Sequence, residues 1–425
     1  MKGMKWIAFA AALLVLVPAA ARWAWQSDKA RDILVGLIAF DLFNPAHVNF
    51  LSDENYRGDS RGIEVTTVDL MVLALFAAQK LRGTVTPPQT RYLPFRALYL
   101  LAVVISLVAS PDYERSFFSV WKLVRMYFAF SVLATAFSEL RLVRSALTGL
   151  AIGVTTQGLI ALQQKYVFHM VRVMGSQSHP NSLAMIVNFI APVAFALILT
   201  GAARRIAIVV FAFAAMCDVF SLSRGGMMMF VLAAVLVTAG SLVRGFTARK
   251  MKIVATLIVG GLLAFAKSAE TIIKRFTEAP KESEEARHLF NLAAKEMASE
   301  HPFGIGINMY SWVLEHGGYA ARLGIDPGDK NGIAHHIYWL TAAETGYFGL
   351  VAYALLLAAV LWRAVSAARQ PGVRGEIALG ISVGLVITYL QGTAEWIARQ
   401  TTMAYCFWML AAMVAALDAA RPRAT

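Results

Sequence analysis

Twelve continuous apolar stretches, each close to the length of a bilayer-crossing helix, leave this chain few ways to fold. They cover roughly residues 6–22, 64–82, 94–110, 117–138, 142–163, 182–201, 204–222, 226–244, 251–268, 346–364, 375–392 and 401–418. A helix needs about 20 mostly apolar residues to span the hydrocarbon core. Lipid cannot satisfy free backbone N–H and C=O groups, so a span is either a helix or part of a closed barrel. These runs are continuous rather than alternating, which argues against a barrel. Composition agrees. Only 15% of the 425 residues are charged, where a soluble domain carries about 25%. The sequence therefore predicts an all-α membrane protein of about twelve transmembrane helices.

The net charge of +13 raises the question of nucleic acid. The distribution answers it: the cations sit in short clusters between apolar runs, as the positive-inside rule expects, and no nucleic-acid partner is predicted. Arg204 with Arg205, and Arg244, Arg249, Lys250 and Lys252, occupy connections of one parity. Arg141 and Arg144, the group Lys80, Arg82, Arg91 and Arg96, then Arg363, Arg369 and Arg374, and finally Arg421 and Arg423 fall at the same parity. These connections are assigned to the cytoplasm. Lys2 and Lys5 agree unless the short run 33–43, which contains Asp41, also crosses. That run is too short for a span and reads as interfacial or re-entrant; were 27–51 to cross, the count would be thirteen. Residues 1–22 have the outline of a signal peptide, but no cleavage-type sequence follows.

The connections of opposite parity, about 44–63, 111–116, 164–181, 221–226, 269–345 and 393–400, then face outward. This divides the chain into a bundle of about nine spans (1–268), one large loop (269–345) and a bundle of about three spans (346–425). Loops of that length are usually functional. Within it, Glu284 to Ser299 places Leu289, Leu292, Ala293 and Met297 on one stripe, expected to lie against the membrane surface, and His301-Pro302 ends the helix. Cys217 and Cys406 fall inside apolar runs and read as small core residues. They are expected to be dispensable.

The outward connections hold most of the chemistry. Arg224 lies in Ser221-Leu222-Ser223-Arg224-Gly225-Gly226, flanked by apolar spans. A charge there snorkels, pairs, or faces a wet cavity as an anion-binding group. Arg172 precedes Gly175 and His179-Pro180-Asn181, and Arg287 opens the amphipathic helix. His335 and His336 close the loop before Tyr338 and Glu344. Adjacent histidines on a helix point about 100° apart, and no His-x-x-x-His or His-Glu-x-x-His occurs, so no metal or cofactor is expected. Asp53-Glu54, in the first outward connection, is an acidic pair of the kind that can bind a divalent ion, or else a solvated acidic loop. Arginine forks bind phosphate oxygens, and histidine removes a proton from a hydroxyl near neutral pH. Spread over distant loops on one side, they suit displacement of a diphosphate by a hydroxyl nucleophile. Arg224 and His335 are expected to face one cavity open to the outer side. A transporter or flippase would instead concentrate its polar residues near the bilayer midplane.

At these residues the chain resembles the O-antigen ligase and O-antigen polymerase superfamily of bacterial membrane glycosyltransferases. The pieces are Ser223-Arg224-Gly225, the stretch from Arg287 through Pro302-Phe303-Gly304-Ile305-Gly306, and Ala334-His335-His336-Ile337-Tyr338 leading into Glu344-Thr345-Gly346-Tyr347-Phe348-Gly349-Leu350. Gly175 to Asn181 resembles the segment before a central span. His336 departs from the pattern, since relatives often carry Asn there; the register favours His335. The resemblance, over about 120–365, implies a GT-C-like fold with a large periplasmic loop in the bacterial inner membrane. It implies an undecaprenyl-diphosphate-linked glycan as donor, a lipid such as lipid A-core or another glycan as acceptor, and metal-independent, inverting transfer. By it, His335 is the base, Arg224 and Arg287 hold the diphosphate, and Arg172 is a further donor-binding candidate. His336, Asn181, Tyr338 and Glu344 are supporting candidates. Ligase, polymerase and protein O-oligosaccharyltransferase share these motifs.

Overall fold

The computed structural model describes residues 2–83, 92–277 and 281–419. Arg91, Arg421 and Arg423, used above for orientation, lie outside the described residues. Each of the twelve apolar runs coincides with helix. The first is α1 (Lys2–Ala11), which continues through a π-helical turn at Ala12–Leu16 into α2 (Val17–Gln26). The short run containing Asp41 is α3 (Asp28–Asp41). Then come α4 (Thr67–Leu81), α5 (Leu93–Ser106), α6 (Tyr113–Ala136), α7 (Leu140–Tyr166), α8 (Pro180–Thr200), α9 (Arg204–Ser221), α10 (Arg224–Val243) and α11 (Ala248–Thr277). The loop contributes α12 (Lys281–Glu300), α13 (Tyr310–His316) and α14 (Tyr319–Arg322), and α15 (Ile337–Ala368), α16 (Gly372–Gln391) and α17 (Thr401–Ala419) complete the chain.

Among the described residues, eight helices are long and apolar enough to cross a membrane. The difference from twelve has identifiable causes. Helix α4 has 15 residues and Leu93–Ala109 is also short. Helix α9 carries Arg204, Arg205 and Asp218 within its 18 residues. One departure from helix is a hairpin in the connection before α4. Strands β1 (His47–Ser52) and β2 (Gly62–Thr66) pair antiparallel, His47 opposite Thr66 and Ser52 opposite Gly62, with a shift in register between Asn49 and Ser52.

The chain forms two compact units, interleaved in sequence. The first comprises Met1–Leu150, Glu285–Val360 and Gly392–Ala416; the second comprises Ala151–Glu284, Leu361–Gln391 and Leu417–Thr425. Helix α8 is the axis of the second unit and packs on α16, α9 and α10. It is apolar on every face, and nearly all its residues are buried, as a helix surrounded by helices requires. Cys217, in this unit, and Cys406, in the first, are both buried and unbonded.

In the first unit the loop builds a core of its own. Phe290, Ala293, Ala294 and Met297 of α12 pack with Met309, Tyr310 and Leu314 around α13, and with Ile333, Ala334 and Leu340. The stripe expected to lie on the membrane surface is therefore covered by protein, with Leu289 partly buried against the same cluster. The pattern reported an apolar face correctly; periodicity does not say what covers it. Helix α12 ends at Glu300, just before His301-Pro302.

Candidate functional site

The start of α15 is fixed by a backbone splice between the two glycine-bearing motifs. Gly346 leaves helical conformation (φ 71°, ψ 178°) inside α15, and the break leaves carbonyls of the preceding turn without helical donors. The 302–306 segment supplies them. Ile305 N–H donates to the Ala343 carbonyl at 3.0 Å, and Gly306 N–H to that of Glu344 at 3.1 Å. In return Tyr347 N–H donates to the Pro302 carbonyl at 3.0 Å. The approach needs glycine on both sides: a Cβ at Gly304 would lie 2.4 Å from the Glu344 carbonyl oxygen, and one at Gly346 would lie 2.3 Å from that of Pro302. Both residues have positive φ, which side chains rarely tolerate.

This splice holds the turn that presents His335. Ile337 N–H donates to the Gly392 carbonyl at 2.9 Å, drawing the 393–400 connection alongside. That connection carries Glu395, whose side chain is 9% exposed. Its Oε2 lies 3.2 Å from Nδ1 of His335, and its Oε1 lies 3.5 Å from Nη1 of Arg287. One carboxylate thus bridges the histidine and the α12 arginine, which are partly exposed at 22% and 35%. With Glu395 ionised, Nδ1–H of the neutral ring donates to it, and Nε2 is the nitrogen that can take a proton.

His336 does something else. Its Nδ1 accepts the Trp339 N–H at 3.3 Å, capping the helix, and its ring packs edge-on to Tyr338 with centroids 5.7 Å apart. Burial, with Lys295 nearby, lowers the pKa of this ring below the ordinary histidine value.

Glu344 belongs to a separate buried ionic network. Its Oε2 pairs with Nη2 of Arg399 at 2.6 Å, and its Oε1 accepts the Tyr310 N–H at 3.2 Å. Arg399 Nε also donates to Oδ2 of Asp59 at 2.9 Å, and Lys122 Nζ lies 3.0 Å from the same oxygen. Burial alone would raise the Asp59 pKa. Arg399 and Lys122 outweigh it and hold the carboxyl at about 2. The network ties the hairpin connection, α6, α15 and the 397–399 turn together.

In the second unit, Arg172 is braced by its own connection. Its Nε donates to the Ser221 carbonyl at 3.1 Å and its Nη2 to Oδ1 of Asn181 at 3.0 Å. His179 caps α8, its Nδ1 accepting the Asn181 N–H at 3.1 Å. Ser221 is where α9 ends and the chain reverses. Leu222 takes a left-handed conformation (φ 49°), Ser223 caps α10 by accepting the Gly226 N–H at 3.2 Å, and Arg224 is the first helical residue. Its guanidinium pairs with Glu284. Arg224 and Arg172 therefore lie in the second unit and His335 and Arg287 in the first.

Asp53 is engaged by Arg115, whose Nη2 donates to Oδ2 at 2.8 Å, and that hydrogen bond holds the carboxyl below its ordinary pKa. Among the described residues no three His, Cys, Asp or Glu side chains are placed to hold a metal ion. Glu395, Arg399 and Asp59 are the polar residues that reading by motif passed over. All three lie in connections assigned outward, and a carboxylate in an eight-residue connection between apolar spans was the available signal for Glu395.

No curated protein matches the chain at a significant level. Residues 193–354, from the middle of α8 to the middle of α15, match the model of the O-antigen ligase family. They span the Arg224 turn, Arg287, the glycine splice and the histidine pair, and they support a function of O-antigen ligase type. The match covers less than half of the chain and supports the O-antigen ligase superfamily read from its motifs.

Proposed function

We propose that the protein transfers a preassembled glycan from undecaprenyl diphosphate to an acceptor hydroxyl, such as one on lipid A-core, at the periplasmic face of the inner membrane. The observation that carries the reading is the His335–Glu395 pair. A partly exposed imidazole with Nδ1 on a buried carboxylate presents Nε2 as a base, and it sits within the matched O-antigen ligase segment. The acceptor oxygen forms the new bond to the anomeric carbon while its proton passes to Nε2. The bond from that carbon to the diphosphate oxygen breaks, and the electron pair stays on the diphosphate. Attack opposite the leaving group inverts the anomeric centre.

Arg224 and Arg287 hold the diphosphate and stabilise the charge that develops on it. Both already pair with carboxylates, those of Glu284 and Glu395, so each fork is aimed at an anion. Arg172, steadied by Asn181, is a further group for the donor. Tyr338 and His336 shape the turn, and Glu344 anchors it. Arginines supply the positive charge that a divalent ion would otherwise give.

Reconstitution with an undecaprenyl-diphosphate glycan and candidate acceptors, with products resolved by size, tests the proposal. One-step transfer to a core lipid is expected, undiminished by chelator. A ladder on the carrier lipid would make the protein a polymerase. Glycosylated protein would make it an O-oligosaccharyltransferase. Arg224→Lys should fail, because a point charge cannot reproduce a bidentate phosphate contact.

A further inference from the structure

Gln391, the last residue of α16, is 4% exposed, yet among the described residues neither its Nε2 nor its Oε1 has a hydrogen-bond partner. Such a group costs its full desolvation penalty, and buried amides are rarely left this way. Its surroundings are particular. Beyond its chain neighbours and the helix's own backbone, Gln391 Nε2 is the single heavy atom among the described residues within 4 Å of a Cβ built at Gly225, at 3.9 Å, so the first turn of α10 is otherwise open on that side. That turn is the N-terminal end of a 20-residue helix, where backbone N–H groups and the helix dipole favour an anion. Arg224 stands at its first position with its guanidinium on the Glu284 carboxylate, a side chain that is 55% exposed. Three donors, namely the helix end, an arginine and an unpaired amide, belong to one end of α10, all within the second unit.

We infer that Gln391 and the N-terminus of α10 form a phosphate subsite for the donor's diphosphate, with the Gln391 amide donating to a phosphate oxygen that lies over Gly225. The inference rests on the proposed lipid-diphosphate donor and adds a residue that the motifs did not single out. The Glu284 carboxylate marks the anion position on Arg224 and is displaced when phosphate arrives. An unpaired glutamine retained in a buried position is stability given up for binding. Removing it should therefore improve the fold and weaken the donor.

The test uses the full chain in detergent, with inorganic diphosphate as probe, alongside transfer kinetics. Gln391→Leu should melt higher than wild type, on the order of 2 °C, because an unsatisfied polar group is gone. Diphosphate should raise the melting temperature of wild type and do so far less in Gln391→Leu. The KM for the lipid donor should rise roughly tenfold, the loss of about one hydrogen bond to a charged group, with kcat within about threefold. Gln391→Glu, which sets a carboxylate against the phosphate, should abolish the diphosphate-induced shift. A lower melting temperature and unchanged donor KM in Gln391→Leu would make the residue structural and overturn the inference. So would equal diphosphate shifts in all three proteins. Stabilisation by phosphatidylglycerol nanodiscs but not by diphosphate would assign the place to a lipid head group and likewise overturn it. The binding readouts do not depend on transfer, so they stand apart from any failure of His335 as the base.

Discussion

The ring of His336 caps the helix that follows it, its Nδ1 taking the Trp339 N–H at 3.3 Å. That occupation separates two adjacent histidines that composition and spacing leave equivalent. Asparagine is among the strongest N-caps, so His336→Asn should keep both the cap and the transfer activity. His336→Leu should cost about 1 kcal/mol of stability. His335→Ala should abolish transfer while expression and donor binding stay near wild type. One transfer assay on these variants decides. Activity in His335→Ala together with loss in His336→Asn would move the base by one residue.

Glu395 is expected to act through His335. With Gln in its place the ring loses the carboxylate that holds Nδ1–H and fixes which nitrogen faces the acceptor. Turnover should fall between ten- and a hundredfold, a fraction of the roughly 10²–10⁴ that a positioned base contributes. Donor KM should not rise, because Arg287 loses a competing anion. Glu395→Asp should recover part of the rate. Steady-state kinetics separates this from a structural role, in which kcat and KM would both deteriorate and Asp would not help.

The helices under the apolar runs were legible because a residue packed in protein or facing lipid must be apolar, and that leaves a long signature whatever packs on it; eight of them are long and apolar enough to cross a membrane among the described residues. The run 346–364 even began at Gly346, where α15 breaks. The candidate site residues were legible as places where Arg and His interrupt apolar sequence at helix ends. Pairing was not. Glu395 meets His335 across sixty residues, and Asp59 meets Arg399 across 340. No periodicity encodes contacts at such separations. The stripe of α12 was read as an apolar face and assigned to the membrane surface, but its cover proved to be Tyr310, Leu314 and Ile333, residues whose own patterns are too short to announce a core.

The splice between 302–306 and α15 gives a stability prediction. Gly346 combines φ 71° with ψ 178°, a region that is essentially glycine's alone and costs other residues about 1–3 kcal/mol. A methyl there would also press on the Pro302 carbonyl oxygen. Gly346→Ala should therefore lose at least about 2 kcal/mol. It should also loosen the turn before it, so activity should fall together with melting temperature. A conservative control, Phe348→Leu on the exposed side of the same helix, should leave both unchanged. Differential scanning in detergent and the transfer assay give the two readings.

The ionic network around Asp59 sets the acid limit of the fold. Asp59 receives Arg399 Nε at 2.9 Å, Lys122 Nζ at 3.0 Å and Ser119 Oγ at 2.5 Å. Its pKa is held at about 2, against 3.8 in the absence of these partners. A depressed carboxyl stabilises the folded state wherever the unfolded chain would already be ionised, so the contribution is complete above about pH 4. It is lost as pH falls towards 2, because the folded state must then accept a proton it holds weakly. The window is worth about 2 kcal/mol by linkage. Asp59→Asn should remove that pH dependence and cost more than the linkage figure at neutral pH. It leaves Arg399 and Lys122 buried with one anion fewer, and breaking such a pair costs roughly 3–5 kcal/mol. Melting temperature measured from pH 6 down to pH 2 should slope steeply below pH 4 in wild type and less steeply in Asp59→Asn, from a lower starting value. Parallel curves would show that Asp59 is not the group whose protonation limits the fold, and Glu64 (also held below its usual range, by Arg125 and Thr401 against the opposing effect of burial) would be the next carboxylate to replace.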